Sequence, residues 1–226
     1  MFYYDWTMIL ILPGLLLGLW AQMKVKSTFA KYSKVSTREG VTAQDVAREM
    51  LREGGNSGVQ ITRVDGSLTD HYDPRSNTLR LSGDVYGSSS VAAVGVAAHE
   101  CGHAMQEHDG YAPLRLRSAI VPVVNLGSSL YFPIFVAGLI FSWQPLVYVG
   151  IGCFALTLLF ALVTLPVELN ASKRAVTMLS QGNLMAGEEL EGVKAVLSAA
   201  AMTYVASVIS SLLQLFRLIL ISRRDD

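Results

Sequence analysis

One stretch decides how the chain is organised: VAAVGVAAHECGHAM, residues 91–105. Its first eight residues are apolar or glycine, and a His-Glu-x-x-His motif follows. Two histidines four residues apart lie on one face of an α-helix, so the imidazoles of His99 and His103 project in the same direction. A helix that is apolar on all sides is buried, and buried ionisable groups need partners. The stretch therefore predicts a buried helix that carries part of a metal site.

The pair His99 and His103 is typical of a catalytic zinc site. Zinc binds neutral imidazole nitrogen readily, and a catalytic site keeps one coordination position open for water. Glu100 directly follows the first histidine and is placed to act as general base toward that water. We expect one zinc ion per chain. Cys101 points away from both histidines, and with only two cysteines in the chain a disulfide framework is not indicated.

The composition indicates a membrane protein. Of the 226 residues, 51% are hydrophobic, and 18 basic residues balance 18 acidic ones, so nothing in the charge favours nucleic acid as a partner. A spanning helix needs about 20 predominantly apolar residues. Four uncharged stretches fit this requirement: residues 6–23, 119–143, 146–167 and 195–216. We predict a predominantly α-helical protein in the lipid bilayer with about four transmembrane helices.

Between the first two stretches lies the one sizeable polar segment, residues 24–118, which predicts a small α+β module of zincin type that carries the motif helix. A helix is indicated over residues 43–53, and strands over residues 59–64 and 78–82. Asp70 to Pro74 is turn-like, and serines at 88–90 are placed to cap the motif helix. The other predicted parts are a spanning helix over 6–23, a helical hairpin over 119–167, a polar segment over 168–194 and a last span over 195–221.

Positive charges predict the orientation in the membrane. Lysines follow the first stretch, arginines precede the second, and Lys173 and Arg174 follow the third. These charges place the polar module and residues 168–194 in the cytoplasm. Arg223 and Arg224 would lie outside if the last stretch crossed the membrane fully, so partial insertion of that stretch is the alternative.

Two histidines and a water leave such a zinc site one protein ligand short. The candidates are Glu168 after the third stretch, Glu107, His108, Asp109 and His71. His108 lies about 140° around a continued helix from His103, so it could bind only if the helix ended first. Glu168 could be delivered by a helix packed beside the motif helix, whereas a carboxylate without such a role is usually exposed.

The sequence around the motif resembles the YugP-like bacterial membrane zinc metallopeptidases. GVAAHECGHAMQ at 95–106, DHYDPR at 70–75 and LRLS at 79–82 carry this resemblance, which covers nearly the whole chain. More distantly, ELNAS at 168–172 is similar to the ExxAD element of the HtpX-like and prenyl-protein (CAAX) membrane peptidases. That similarity implies Glu168 as the third zinc ligand. Ser172 stands where the element has an aspartate that orients a ligand histidine, and a hydroxyl can still bond an imidazole.

We therefore expect a zinc metalloendopeptidase of the gluzincin type in the bacterial cell membrane, with its active site facing the cytoplasm. Its partners would be protein or peptide substrates, cut near the membrane surface. Arg174, His71 and Tyr86 are candidate donors to the developing oxyanion. An edge strand is expected to pair with an extended substrate, and its residues are Thr78, Leu79, Arg80, Leu81 and Ser82.

Two other functions compete with this interpretation. One is a catalytically silent or gated zinc-binding membrane adaptor, in which Glu107, His108 or Asp109 closes the fourth coordination position. The other is an intramembrane protease of the site-two type, whose second motif supplies an aspartate from a later span. No aspartate lies in residues 119–216, so the sequence argues against the second alternative.

Overall fold

The structure, a computed structural model, describes residues 6–223, so Arg224 lies outside the described residues. A 3-10 helix over Trp6–Leu10 precedes the regular elements. The helices and strands follow in the order α1 (Leu12–Tyr32), α2 (Ala43–Glu53), β1 (Gln60–Val64), β2 (His71–Asp73), β3 (Thr78–Ser82), α3 (Gly83–Tyr86), α4 (Val91–His108), α5 (Ala112–Ile140), α6 (Gln144–Gln181) and α7 (Gly187–Ser222). The chain is therefore mostly helical, with one small sheet.

Within residues 6–223, four helical segments are long and apolar enough to cross a membrane, and each overlaps one of the four predicted stretches. They are Trp6–Tyr32, Ala112–Ile140, Gln144–Gln181 and Gly187–Ser222. The prediction of a predominantly helical membrane protein with four candidate spans is confirmed at this level. The helices are longer than predicted, because α6 continues past residue 167 to Gln181. Residues 168–181 contain neither glycine nor proline, and the helix stops only at Gly182.

By its contacts the chain divides into two compact units. One of them, called here the site unit, comprises Met23–Leu114 and Val167–Ala201, and the other comprises the rest of the described chain. In that second unit α5 and α6 approach closely at glycines. A Cβ on Gly138 would lie 2.6 Å from the Val147 nitrogen, and one on Gly150 would lie 2.8 Å from the Phe135 Cα. These positions therefore permit only glycine without displacement of the helices.

The sheet of the site unit has the strand order β1-β3-β2. Strand β3 pairs in parallel with β1 and antiparallel with β2, so both of its edges are occupied. The prediction that Thr78–Ser82 is an edge strand is therefore wrong. Its side chains explain why: Leu79 and Leu81 are fully buried on one face, and Thr78 and Ser82 are also buried. The turn-like segment Asp70 to Pro74 contains the short edge strand β2.

Helix α2 and the motif helix α4 form much of the core of the site unit. Helix α2 has the predicted bounds and buries Val46, Met50 and Leu51 in the same apolar cluster as the small residues of α4. Helix α4 begins as predicted, because the Ser90 Oγ accepts from the Ala93 N–H at 3.2 Å. Almost all of its first turns are buried, so the motif is presented from inside the unit rather than from its surface.

Candidate metal centre

Helices α4 and α6 bring together His99, His103 and Glu168. The Nε2 atoms of the two histidines lie 3.2 Å and 3.4 Å from the same Glu168 oxygen, Oε2. One ligand atom from each of the three residues lies within 4.8 Å of the others. The side chains are 15%, 13% and 5% exposed, respectively, so the cluster is buried but reachable. Glu168 comes from the middle of α6 and not from a helix end.

These three residues fit a zinc ion. Two imidazole nitrogens and a carboxylate oxygen form a donor set that zinc commonly uses in catalytic sites. Ligand atoms about 2.0–2.1 Å from a tetrahedral zinc stand roughly 3.3 Å apart. The separations of 3.2 Å and 3.4 Å between histidine and glutamate atoms agree with that value. A divalent cation there would also offset the buried charges of Glu168 and the neighbouring Glu100.

A glycine inside the motif allows α4 and α6 to approach this closely. A Cβ on Gly102 would contact the Ala171 carbonyl oxygen and lie 2.9 Å from its carbonyl carbon. Both contacts are to backbone, which cannot rotate away as a flexible side chain can. Gly102 and the fully buried Ala171 therefore set the distance between the two helices that carry the three metal-binding candidates.

Each histidine has a second contact at its other ring nitrogen. The Nδ1 of His99 lies 3.1 Å from the Ser172 hydroxyl, and the Nδ1 of His103 lies 3.0 Å from the Oε1 of Gln106. Such contacts orient an imidazole and leave Nε2 for a metal. The structure thus pairs Ser172 with His99. It also adds Gln106, which lies within GVAAHECGHAMQ and for which the sequence predicts no role in the site.

Glu100, which directly follows His99 on α4, contacts the sheet. Its Oε2 accepts a hydrogen bond from the main-chain N–H of Tyr72 on β2, at 3.1 Å. Burial raises the pKa of Glu100, although His99, His103 and the Tyr72 N–H act in the opposite direction. Burial lowers the pKa of His103, but the hydrogen bond with Glu168 and the nearby Glu100 outweigh it, so the net shift is upward.

Arg174 lies behind His103 in a chain of polar contacts. Its Nε donates to the Oδ1 of Asn170 at 2.9 Å, and its Nη1 forms an ion pair with Asp109. Asn170 Oδ1 also accepts from the Nε2 of Gln106 at 2.9 Å. The guanidinium of Arg174 therefore bonds to Asn170 and Asp109. Asp109, one of the alternative third ligands, is its ion-pair partner.

The remaining candidates are not members of the three-residue cluster. His71 holds the Thr69 carbonyl with its Nδ1 at 2.8 Å, and Tyr86 packs against the apolar core. Glu107 and His108 are exposed at the end of α4. Among the described residues, the group that could hold a metal ion contains only the two motif histidines and Glu168. Burial raises the pKa of the Cys101 thiol, in agreement with its exclusion as a ligand.

The comparisons with known proteins identify the class of this membrane protein. Residues 7–223 match the family described as "Putative neutral zinc metallopeptidase", and the chain belongs to that family. It is also 44% identical over 219 residues to "Putative membrane protease YugP" of Bacillus subtilis (strain 168). The aligned region covers 96% of this chain and 97% of the relative. No solved structure matches the chain. The resemblance to the YugP-like membrane zinc metallopeptidases is thus confirmed.

Proposed function

We propose that the chain is a membrane-embedded zinc endopeptidase of the gluzincin type. In this proposal His99, His103 and Glu168 hold one zinc ion, and Glu100 is the general base. The observation that carries the proposal is the convergence of three ligand atoms within 4.8 Å, with the half-buried Glu100 on the helix of the two histidines. Membership of the zinc metallopeptidase family supports it independently.

The chain's own residues would act mainly through Glu100. When bound, zinc supplies Lewis acidity that polarises the scissile carbonyl and acidifies a water molecule. Glu100 accepts the proton from that water and returns it to the leaving amine. Its position supports this role, because Glu100 directly follows the candidate ligand His99 on α4. The Tyr72 N–H orients the carboxylate for both transfers.

Strand β2 replaces β3 as the proposed substrate strand. In an antiparallel pair, the backbone groups of successive residues point alternately toward the partner strand and away from it. The Tyr72 N–H bonds to Glu100 and therefore points away from β3, so the outer edge of β2 faces the general base. An extended substrate lying along this edge would have its backbone beside Glu100, which is the β-augmentation mode of peptide recognition.

We infer that the active site faces the cytoplasm of a bacterial cell and acts on membrane-associated proteins. Basic residues flank the apolar stretches on the side of Met23–Leu114, which the positive-inside rule assigns to the cytoplasm. Glu168 comes directly after the apolar stretch 146–167, so the zinc site would lie near the membrane surface. Substrates of the enzyme would therefore be cut there. The name of the Bacillus subtilis relative, a membrane protease, supports the location in a membrane and the protease activity.

The deciding experiment compares the detergent-purified wild type with Glu100→Gln. The substrate is an unfolded protein, and zinc content is measured on the same samples. We expect the variant to lose at least about 100-fold in cleavage, in keeping with a general-base contribution, while it retains zinc. Glu107→Gln, an exposed glutamate on the same helix, is the matched control and should cleave like the wild type.

Three outcomes would contradict the proposal. Equal cleavage by wild type and Glu100→Gln would exclude Glu100 as the base. Stoichiometric zinc without cleavage by any sample would instead favour the alternative, a catalytically silent or gated zinc-binding membrane adaptor. Loss of zinc together with cleavage in Glu100→Gln would make Glu100 a structural residue.

A further inference from the structure

We propose that Gln106 is a positioning residue that fixes the tautomer of His103 and couples it to the helix that carries Glu168. This inference rests on the proposed zinc function. Gln106 is fully buried, three residues after His103 on α4. Its side-chain amide makes three hydrogen bonds: one to His103, one to the Val167 carbonyl and one to Asn170.

The Val167 carbonyl determines which way the amide of Gln106 points. A main-chain carbonyl oxygen can only accept hydrogen bonds. The Gln106 atom 2.8 Å from it must therefore be the nitrogen Nε2, and the atom facing His103 must be the oxygen Oε1. An amide oxygen can only accept as well, so His103 has to donate from Nδ1.

Arg174 imposes the same orientation from the opposite end of the chain of contacts. Its Nε–H can only donate, so the Asn170 atom 2.9 Å away must be the oxygen Oδ1. That oxygen can only accept, and the Gln106 atom 2.9 Å from it must again be the nitrogen. Two independent groups thus orient the Gln106 amide. The Val167 carbonyl, an obligate acceptor, contacts it directly, and the Arg174 N–H, an obligate donor, acts through Asn170.

The consequence falls on the metal-facing nitrogen of His103. With the proton of the neutral ring on Nδ1, Nε2 carries a lone pair, which is the form that binds a metal. In this form the lone pair of Nε2 and the Glu168 Oε2, 3.4 Å apart, would be two acceptors, and a cation between them would replace the proton that otherwise bonds His103 to Glu168. His99 differs, because its Nδ1 partner is the Ser172 hydroxyl, which can donate or accept.

The same amide also holds α6 in place. The Val167 carbonyl that Gln106 binds belongs to the residue directly before Glu168. Gln106 therefore links one candidate ligand, His103, to the backbone that presents another. A single buried side chain would prepare the ring nitrogen for zinc and set the position of the carboxylate, with both effects lost when the amide is removed.

The test uses three variants of the full chain in detergent, and it measures zinc affinity by competition with a chelator. Gln106→Met removes every hydrogen bond of the amide. Gln106→Glu keeps an oxygen for His103 but loses the amide donors. Gln60→Met, at an exposed position on β1, is the matched control. Thermal unfolding in the presence of zinc shows whether each variant is folded.

We expect Gln106→Met to bind zinc about 10–100-fold more weakly, the usual cost of losing a partner of a ligand histidine. Gln106→Glu should recover part of that loss, because the acceptor for Nδ1 remains while the bond to the Val167 carbonyl is lost, and the control should bind like the wild type. If Gln106 were only a structural brace, Gln106→Glu would weaken zinc binding as much as Gln106→Met does. Equal zinc affinity of the wild type and Gln106→Met would overturn this inference and leave the proposed function in place. The same holds if Gln106→Glu binds zinc no more tightly than Gln106→Met. A wild type that binds no zinc overturns the proposed function and this inference together.

Discussion

The main-chain N–H of Tyr72 donates to the carboxylate of Glu100 at 3.1 Å. This contact joins the edge strand β2 to the motif helix α4 at the residue proposed as general base. It uses a backbone group, so the identity of the side chain at position 72 does not set it. The Tyr72 side chain has its own partner, since its hydroxyl donates to the Oδ1 of Asn77 at 2.9 Å.

Replacing Tyr72 by proline tests this contact selectively. The Tyr72 N–H points to Glu100 and not to β3, so Tyr72→Pro removes it without breaking the strand pairing. We expect Tyr72→Pro to lose about 10–100-fold in kcat/KM relative to Tyr72→Ala, because a hydrogen bond to a charged group contributes about 1.5–3 kcal/mol. Zinc content should be unchanged in both. Equal kcat/KM in the two variants would show that the N–H does not contribute.

Glu168→Gln should abolish tight zinc binding. Loss of a partner of a ligand histidine already costs about 10–100-fold in affinity, and loss of the ligand charge should cost more. Glu191→Gln, an exposed glutamate on α7 whose side chain is 69% exposed, is the control. Zinc is quantified after dialysis against a weak chelator. Zinc retained at the wild-type level in Glu168→Gln would remove Glu168 from the ligand set and reopen the choice among the other candidates.

Gly102→Ala should both destabilise the protein and weaken zinc binding. The added methyl group would meet the Ala171 backbone and push α4 away from α6, at a cost of about 1–3 kcal/mol. Gly152→Ala is the matched control, because a Cβ there has nothing within 4 Å. The expected result is a lower Tm and weaker zinc binding in Gly102→Ala alone. A Tm that falls equally in both variants would point to a general intolerance of alanine.

Substitutions of Ser172 test the hydrogen bond at His99. Ser172→Ala should weaken zinc binding by about 10-fold or more, because His99 loses the partner of its Nδ1. Ser172→Asp should bind zinc at least as tightly as the wild type, since a charge-assisted hydrogen bond is roughly twice as strong as a neutral one. Chelator competition measures both. Unchanged affinity in Ser172→Ala would show that the hydroxyl contact is dispensable.

The proposed orientation can be checked by labelling cysteines in intact cells. The parent protein carries Cys153→Ala, because Cys153 is only partly buried and could react. Cys101 is buried and can stay, so only the introduced cysteine is labelled. We expect Ser142→Cys, in the exposed turn between α5 and α6, to react with a membrane-impermeant maleimide from outside. Ser33→Cys, exposed just after α1, should react only after permeabilisation. The reverse pattern would place the site unit outside the cytoplasm.

Local patterns predicted most elements of this fold. The bounds of α2, the start of α4 at the Ser90 cap and the extent of β3 all follow from residues close together in the chain. The partners of β3 could not be obtained in this way. Its alternation of Thr, Leu, Arg, Leu and Ser is compatible with an edge or a central strand, and only the packing of β2 and β1 on both sides distinguishes them.

The sequence by itself determined the motif helix, the four apolar helices and two of the three metal-binding candidates, because helix spacing puts His99 and His103 on one face. Spacing left five candidates for the third ligand, and only a family similarity pointed to Glu168. The tertiary structure places Glu168 beside both histidines and brings Gln106, Ser172 and the Tyr72 N–H to the site. The physical reason is that each of these contacts joins elements distant in sequence or depends on the close packing of helices. Spacing along the chain fixes directions on one helix, whereas distances between helices follow from steric contacts such as that of Gly102 with Ala171.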